Sequence, residues 1–516
     1  MPKRLSLKFL IHERDHARLL RHPLLRDTGP SRQEQVVSIH YDTRTLQLQA
    51  RAIELTLRRH SSSWLQSVEQ RESATASEVS AKQWSVPYFN HFDFSAIEDA
   101  KLRDWLGQAK IIARIAPIFE STIRRTSWRV SVASGVTIDA SFGRGTLVSS
   151  GRRELVADFE LALVEGLGAD LYAFAMQLAA RVPLTPQLLT IGERGCRLFL
   201  NKSATPAKGD SFTFPSNALP LQIFQQIALS CLHHMQGNQL GAATSSNPEY
   251  IHQMRVATRR LRAAIQIFKP LIPPPVVEQM TGPLRDLMQT LGRVRDLDVV
   301  AGEIVDPVTN EMPDEPSVVA LSAALTERRY QARGEVSQLL QTPEFGHLQL
   351  RTEALLDGLS LDTSSRESSN QVQVSDEHGM SRLKLAEFAQ RRLRSRLKRL
   401  HESASRARVD DPASLHRTRI CIKRLRYALE FFSPMMQKKA SAKTLKTLAG
   451  AQEKLGQLND IAVAGDVLLL CISADRNLRL AVSLVASWHA QRYADLLADV
   501  ALDVKQIEHL KLPRLA

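Results

Sequence analysis

Cysteine is nearly absent: four residues in 516, Cys196, Cys231, Cys421 and Cys471. They lie far apart, so neither a zinc-ligand spacing nor a disulfide framework can be built from them. Each reads as a small apolar or surface residue of a reducing compartment. Long apolar runs are missing too, and nothing approaches the ~18 residues of a membrane-crossing helix. The most apolar stretch, Val463 to Trp488, is broken by Asp466, Asp475, Arg476 and Arg479. Met1 to Phe9 is basic, but no apolar secretory core follows. A cytosolic protein with no membrane span is therefore expected. The chain also lacks G-x-x-x-x-G-K-[ST], G-x-S-x-G, H-E-x-x-H and C-x-x-C, which leaves the common catalytic schemes without support.

Positive charge is in excess. Lys and Arg number 68 against 54 Asp and Glu, a formal net charge of +14. Such a surplus points to a polyanionic partner. It does not locate the binding surface, because residues 1–220 and 221–516 each carry +7. At 43% hydrophobic and 24% charged, the chain is an ordinary globular one.

Texture changes along the chain. Up to about residue 200, short β-rich runs such as 36–41, 52–57 and 159–163 are split by Gly, Ser and Pro. Asn201 to Pro220 is rich in small and breaking residues and reads as a linker. From Leu221 the apolar period is helical, and the low aromatic content of 6% suits helical bundles. Gly358 to Gly379, with six serines, reads as a flexible connection dividing this half. The pieces 221–357 and 380–512 are each long enough for a four-helix bundle.

These two pieces are copies. HQMRVATRRLRAAIQIFKP at 252–270 and HRTRICIKRLRYALEFFSP at 416–434 share eight of nineteen positions at an offset of 164. The register persists to LGRVRD at 291–296 and LGQLND at 455–460. At 100° per residue, Arg255, Arg259 and Arg262 all lie within about 80° of His252. Met254, Ala257, Leu261, Ile265 and Phe268 take the opposite face, as a bundle core requires. His416, Arg419, Lys423 and Arg426 repeat the basic pattern, with Ile422, Leu425, Leu429 and Phe432 behind them. No acidic residue occurs within 252–262 or 416–426. An ordinary solvated face mixes signs, since like charges at i,i+3 and i,i+4 repel. Each face spans roughly 15 Å and would offer a linear polyanion a cation at nearly every turn. A further basic helix precedes the second copy, with Arg391, Arg394, Lys398 and His401 at the same spacing; a plain solvated face explains it equally well. His252 and His416 have no metal-ligand partner in their helices, so no metal is expected there. Asp296 and Asp298 suit pairing with arginines of adjacent helices.

The helical half resembles the CHAD domain, the conserved histidine α-helical domain. The resemblance is carried by two H-x-x-R-x-x-x-[RK]-R-L-R helices and two L-G-x-[VL]-x-D segments. It implies two four-helix bundles related by pseudo-twofold symmetry, with basic faces lining a shared groove. It also implies binding of inorganic polyphosphate and association with polyphosphate granules. That role would fall on His252, Arg255, Arg259, Arg262, His416, Arg419, Lys423 and Arg426, with Arg260 and Arg424 flanking and Arg391, Arg394 and Lys398 as further candidates.

The first 200 residues resemble a CYTH, or triphosphate tunnel, domain. The matching points are Leu7 to Ile11, Tyr41-Asp42-Thr43, Leu57-Arg58-Arg59, Trp64 to Ser67, Ile138-Asp139, Asp158 to Leu161 and Glu193-Arg194-Gly195. Such domains are antiparallel barrels whose basic residues hold a triphosphate while glutamates hold Mg²⁺ or Mn²⁺. Here the opening E-x-E-x-K appears as Arg4, Ser6 and Lys8, so both glutamates are gone. Thr56, Glu69, Ala162 and Ile191 replace further family positions, while Asp158 and Glu160 remain. Divalent metal should bind poorly and hydrolysis should fail. Arg58, Arg124, Arg125, Arg129 and Arg194 are either a weak phosphate tunnel or scattered surface cations.

The expectation is an α+β multidomain protein: a degenerate tunnel barrel at 1–200, a linker at 201–220, then a duplicated pair of helical bundles. Its expected partner is inorganic polyphosphate, with nucleic acid bound only non-specifically. No cofactor is expected, Mg²⁺ or Mn²⁺ entering only if triphosphatase activity survives. A metal-dependent triphosphatase and a nucleic-acid binder remain as alternatives.

Overall fold

The computed structural model describes every residue except 1–3, 61, 73–77, 133–134, 216, 361–371, 374–382, 472–475 and 516. The serine-rich connection read at 358–379 falls mostly outside the described residues. Two compact units are present: Met1–Thr205 with Gln341–Ala354, and Pro206–Leu340 with Leu355–Ala516. No helix among the described residues is long and apolar enough to cross a membrane.

The first unit is an antiparallel barrel. Its strands are β1 (Arg4–Leu10), β2 (Arg32–Thr43), β3 (Ile53–His60), β4 (Ser63–Glu72), β5 (Glu78–Pro87), β6 (Ile115–Val132), β7 (Val136–Ser149) and β8 (Arg152–Glu165). They pair in the order β5-β4-β3-β2-β6-β7-β8-β1, and β1 closes the ring onto β5. Alternation sets the faces: Ile53, Leu55 and Leu57 of β3 are buried, while Glu54 and Thr56 between them are half-buried. The helix α1 (Gly168–Ala179) adds Leu171, Phe174 and Leu178 to the core around Phe142 and Phe159, which Leu350 also joins.

The second unit is helical. The first copy comprises α2 (Pro220–Thr244), α3 (Pro248–Phe268), α4 (Pro274–Val299) and α5 (Pro316–Leu340). The second comprises α6 (Leu385–Ala404), α7 (Pro412–Phe432), α8 (Lys438–Cys471) and α9 (Arg476–Glu508). The copies share their cores. Phe268 stacks on Phe388 at 5.1 Å and meets Phe432 at 5.8 Å between ring centroids, all three fully buried. Burying each such ring stabilises the fold by about 1.5–3 kcal/mol. A second shared cluster joins Leu297, Val300 and Ile304 to Ala464, Leu468 and Val485.

The expected linker is not loose from Pro206 onward. Ala207 and the Asn238 side chain exchange hydrogen bonds of 3.0 and 3.1 Å, and Phe212 is buried against Phe431. Its breaker-rich composition signals irregular backbone; its two phenylalanines, Phe212 and Phe214, bring that backbone onto the helices.

Candidate functional site

Both repeated helices begin and end alike. Asn247 and Asp411 cap α3 and α7 by accepting from the backbone N–H of Glu249 and Ala413, and a proline opens each first turn. Each ends at a phenylalanine followed by a tight turn through Pro270 or Pro434. Met254, Ala257, Leu261, Ile265 and Phe268 of α3 are buried, as are Ile422, Leu425, Leu429 and Phe432 of α7. That burial fixes the helices' rotation and turns their basic edges toward one groove.

The groove has a volume of about 1080 Å³. It receives His252, Arg255, Arg259 and Arg262 from α3, and His416, Arg419, Lys423 and Arg424 from α7. Arg285, Arg295 and Asp296 enter from α4, Arg396 from α6, and Asn459 and Asp460 from α8. Nine arginines and lysines thus face three carboxylates, Asp296, Glu303 and Asp460. Nine pairs of lining residues are related by the 164-residue offset, from His252/His416 to Glu303/Val467. The duplication is therefore built into the site.

The L-G-x-[VL]-x-D segments act as seats for the repeated arginines. A Cβ on Gly292 would lie 2.6 Å from Arg255 Nη1, so this glycine lets the guanidinium lie against α4. Gly456 does the same for Arg419 at a looser 3.4 Å. Asp296 completes the first seat at 3.6 Å from Arg255, and Asp460 contributes its charge to Arg419. Asp298 points elsewhere: it is buried and pairs with Arg329 and Arg333 of α5 at 3.0 and 2.9 Å.

The electrostatics are those of a site short of negative charge. Among the described residues, no carboxylate forms an ion pair with Arg259, Arg262, Arg285, Arg295, Arg396, Arg419, Lys423 or Arg424. His252 Nδ1, Arg259 Nε and Arg419 Nε are buried without hydrogen-bond partners among the described residues. Burial, then the neighbouring Arg419, Arg259 and Arg255, pushes the Lys423 ammonium down to about 7. Burial and Arg295 lower His252 likewise. Arg255 and Arg419 are lowered chiefly by burial, with Asp296 and Asp460 opposing the shift. Each of these shifts would be relieved by an anion.

Five sequence candidates lie outside the groove lining. Arg260 packs between the rings of Phe212 and Phe431, at 5.7 and 5.8 Å from their centroids. Arg426 pairs with Glu430 at 3.2 Å. Arg391 and Lys398 are exposed and pair along their own helix with Glu387 and Glu402, and Arg394 is exposed beside them. In α6 the groove residue is Arg396. It lies about 60° from buried Leu393, whereas Arg391, Arg394 and Lys398 lie about 100–160° away, on the solvent side. Reading the wheel from the apolar face would have found it. Arg295, missed as well, stands beside Asp296 inside the repeated segment, and Arg285 lies on the Gly292–Asp296 face ten residues earlier.

The barrel residues present a different picture. Lys8 meets Glu160 at 3.7 Å, directly across the β1–β8 pairing. Arg194, buried, holds Asp158 at 2.8 Å and Glu154 at 2.7 Å. Burial alone would raise the Glu54 carboxyl, but His40 at 3.1 Å, Arg71 at 2.9 Å and nearby Lys8 hold it down. Arg71 also takes Glu69 at 3.1 Å. These particular acids and bases neutralise one another. Arg129 pairs with Asp139 on the exposed surface, and Arg124 donates to Gln33. Asp158 and Glu160, the carboxylates that remain of the expected metal set, are already engaged by Arg194 and Lys8, and Ser6 lies opposite Ala162. This donor set does not fit Mg²⁺ or Mn²⁺.

Comparison with known proteins gives a family match at residues 226–469, to the CHAD domain. A solved CHAD domain from the plant Ricinus communis is 28% identical, with a TM-score of 0.50; the match covers 61% of this chain and 100% of that one. PptA from Streptomyces chartreusis is 13% identical, covering 56% of this chain and 100% of that one, with a TM-score of 0.42. A putative adenylyl cyclase from Hippeastrum, described as having a dominant triphosphatase activity, is 12% identical, covering 39% and 97%, with a TM-score of 0.28. No curated protein matches the chain.

Proposed function

We propose, from the premise that residues 226–469 are a CHAD domain, that this protein binds inorganic polyphosphate in the groove between α3 and α7 and through it associates with polyphosphate granules. One observation carries the reading: a cavity lined by nine cations, eight of them without an ion pair to a carboxylate among the described residues. Arginine's planar fork suits phosphate oxygens, and release of counterions from the polyanion would supply much of the affinity. Tyr427 is the one Phe, Tyr or Trp in the lining, so the groove offers no stacking platform for bases. This favours a phosphate chain over a nucleic acid. The pairing of Asp158, Glu160 and Glu54 with basic side chains and the missing glutamates argue against the metal-dependent triphosphatase alternative.

The test is a titration of the full chain with long-chain polyphosphate and with single-stranded DNA, at matched phosphate concentration, over a range of salt. Expected is tight polyphosphate binding whose log affinity falls linearly with log salt, and weaker DNA binding at every salt. Equal affinity for DNA would make the basic faces generic.

A further inference from the structure

The offset of 164 relates most of the groove, but four of its arginines break the symmetry. Arg262, Arg285 and Arg424 line the cavity, while their counterparts Arg426, Ala449 and Arg260 do not. Arg396 of α6 stands with the first three. Arg262 and Arg285 are close enough to repel, as are Arg396 and Arg424. Four helices thus bring two pairs of like charges into one lining, and among the described residues none of the four forms an ion pair with a carboxylate.

The counterpart positions are silenced one by one. Arg426 is neutralised by Glu430, where the first copy has the uncharged Gln266 in the equivalent place. Arg260 is capped by Phe212 and Phe431, and Gly209 of the irregular segment lies directly against its guanidinium. Ala449 carries no charge where Arg285 does. Beyond the duplicated centre of His252, Arg255 and Arg259 with His416, Arg419 and Lys423, the lining thus carries four arginines that have no lining counterpart in the other copy.

A solvated face is the plain alternative. Isolated surface arginines need no ligand, and Arg285 and Arg424 are exposed. Arg262 and Arg396, however, are half-buried in the same lining, and burial with its like-charged neighbours pushes Arg396 down to about 10. Uncompensated like charges destabilise a fold, and a bound polyanion would reverse that cost.

We propose that Arg262, Arg285, Arg396 and Arg424 form a second segment of the polyanion site, engaging phosphates beyond those held at the duplicated centre. Long polyphosphate chains then bind more tightly than short ones, because only they reach these four arginines from the duplicated centre. The inference rests on the polyphosphate reading above and adds chain-length selectivity to it.

The experiment measures binding of tripolyphosphate and of long-chain polyphosphate to the full chain and to Arg285→Gln/Arg424→Gln. Both positions are exposed, and thermal melting of the variant checks its fold. The ratio of long-chain to tripolyphosphate affinity is expected to fall about tenfold, with a shallower salt dependence for the long chain. Equal losses for both ligands, or no loss for either, would overturn the second segment while leaving the groove assignment intact. A wild-type chain that binds neither ligand would overturn the polyphosphate reading itself, and this proposal with it.

Discussion

Replacing Arg255 and Arg419 together by alanine is expected to lower the affinity for long-chain polyphosphate by about 100-fold or more. A hydrogen bond to a charged group contributes about 1.5–3 kcal/mol, and the variant removes at least one such contact from each copy. The two side chains are also the best positioned in the groove. Each lies on a glycine of the facing helix; Asp296, one turn further on, pairs with Arg255 at 3.6 Å, and Asp460 lends its charge to Arg419. Losing them removes pre-organised donors as well as charge. Folding should survive, because the unliganded groove is strained by like charges: Arg255 is opposed by Arg259, Arg295 and Arg419. Direct titration checks the effect, and thermal melting checks the fold. Arg391→Ala/Arg394→Ala, on the solvent side of α6, is the matched control and should change affinity by no more than about threefold.

Polyphosphate affinity is expected to fall as pH rises from 6 to 9. In the empty groove the Lys423 ammonium is pushed down to about 7, by burial first and then by Arg419 of its own helix and Arg259 and Arg255 of α3. Asp460 of α8 opposes this shift. A bound polyanion favours the charged amine and raises its pKa toward the ordinary value. Below the empty-groove pKa, Lys423 is already protonated and its contribution is fully present. Above it, binding must take up a proton, so affinity falls by up to about tenfold per pH unit until the bound-state pKa is reached. His252, lowered in the same direction, adds a second dependence at lower pH. Titrations in buffers of different ionisation enthalpy would report net proton uptake near pH 8. Lys423→Arg should flatten the profile there while retaining affinity. A flat profile in the wild type would contradict the placement of Lys423 against the bound anion.

The sequence made the duplication legible because both copies carry, at one offset, the same basic helix ending in Phe and a proline and the same L-G-x-[VL]-x-D segment. Helical periodicity then separated buried Leu261 and Leu425 from Arg259 and Lys423 without any tertiary information. The groove's limits were harder to read, since a cation's use depends on the partners that reach it. Arg260 and Arg424 occupy equivalent sequence positions, yet Phe212 of a distant segment covers one and leaves the other exposed. Likewise Arg262 and Arg426 differ through a single helical neighbour, Gln266 or Glu430. In α6 the spacing of Arg391, Arg394 and Lys398 was regular, but regular spacing alone does not say which way a face points; Leu393 and Leu400 do. The barrel was recognisable from ordered strand motifs. Its internal neutralisation was not, because Glu54, Glu69 and Arg71 meet only once β3 and β4 pair.

The central claim, that the groove between α3 and α7 holds the polyphosphate chain, is tested most directly by arginine-modification footprinting. The full chain is treated with an arginine-selective reagent, with and without long-chain polyphosphate, and each site is quantified by peptide mass spectrometry. Expected is selective protection of Arg255, Arg259, Arg295 and Arg419, with Arg391, Arg394 and the barrel's Arg58, Arg124 and Arg125 reacting equally in both samples. Protection centred on the barrel arginines, with the groove arginines unchanged, would contradict it.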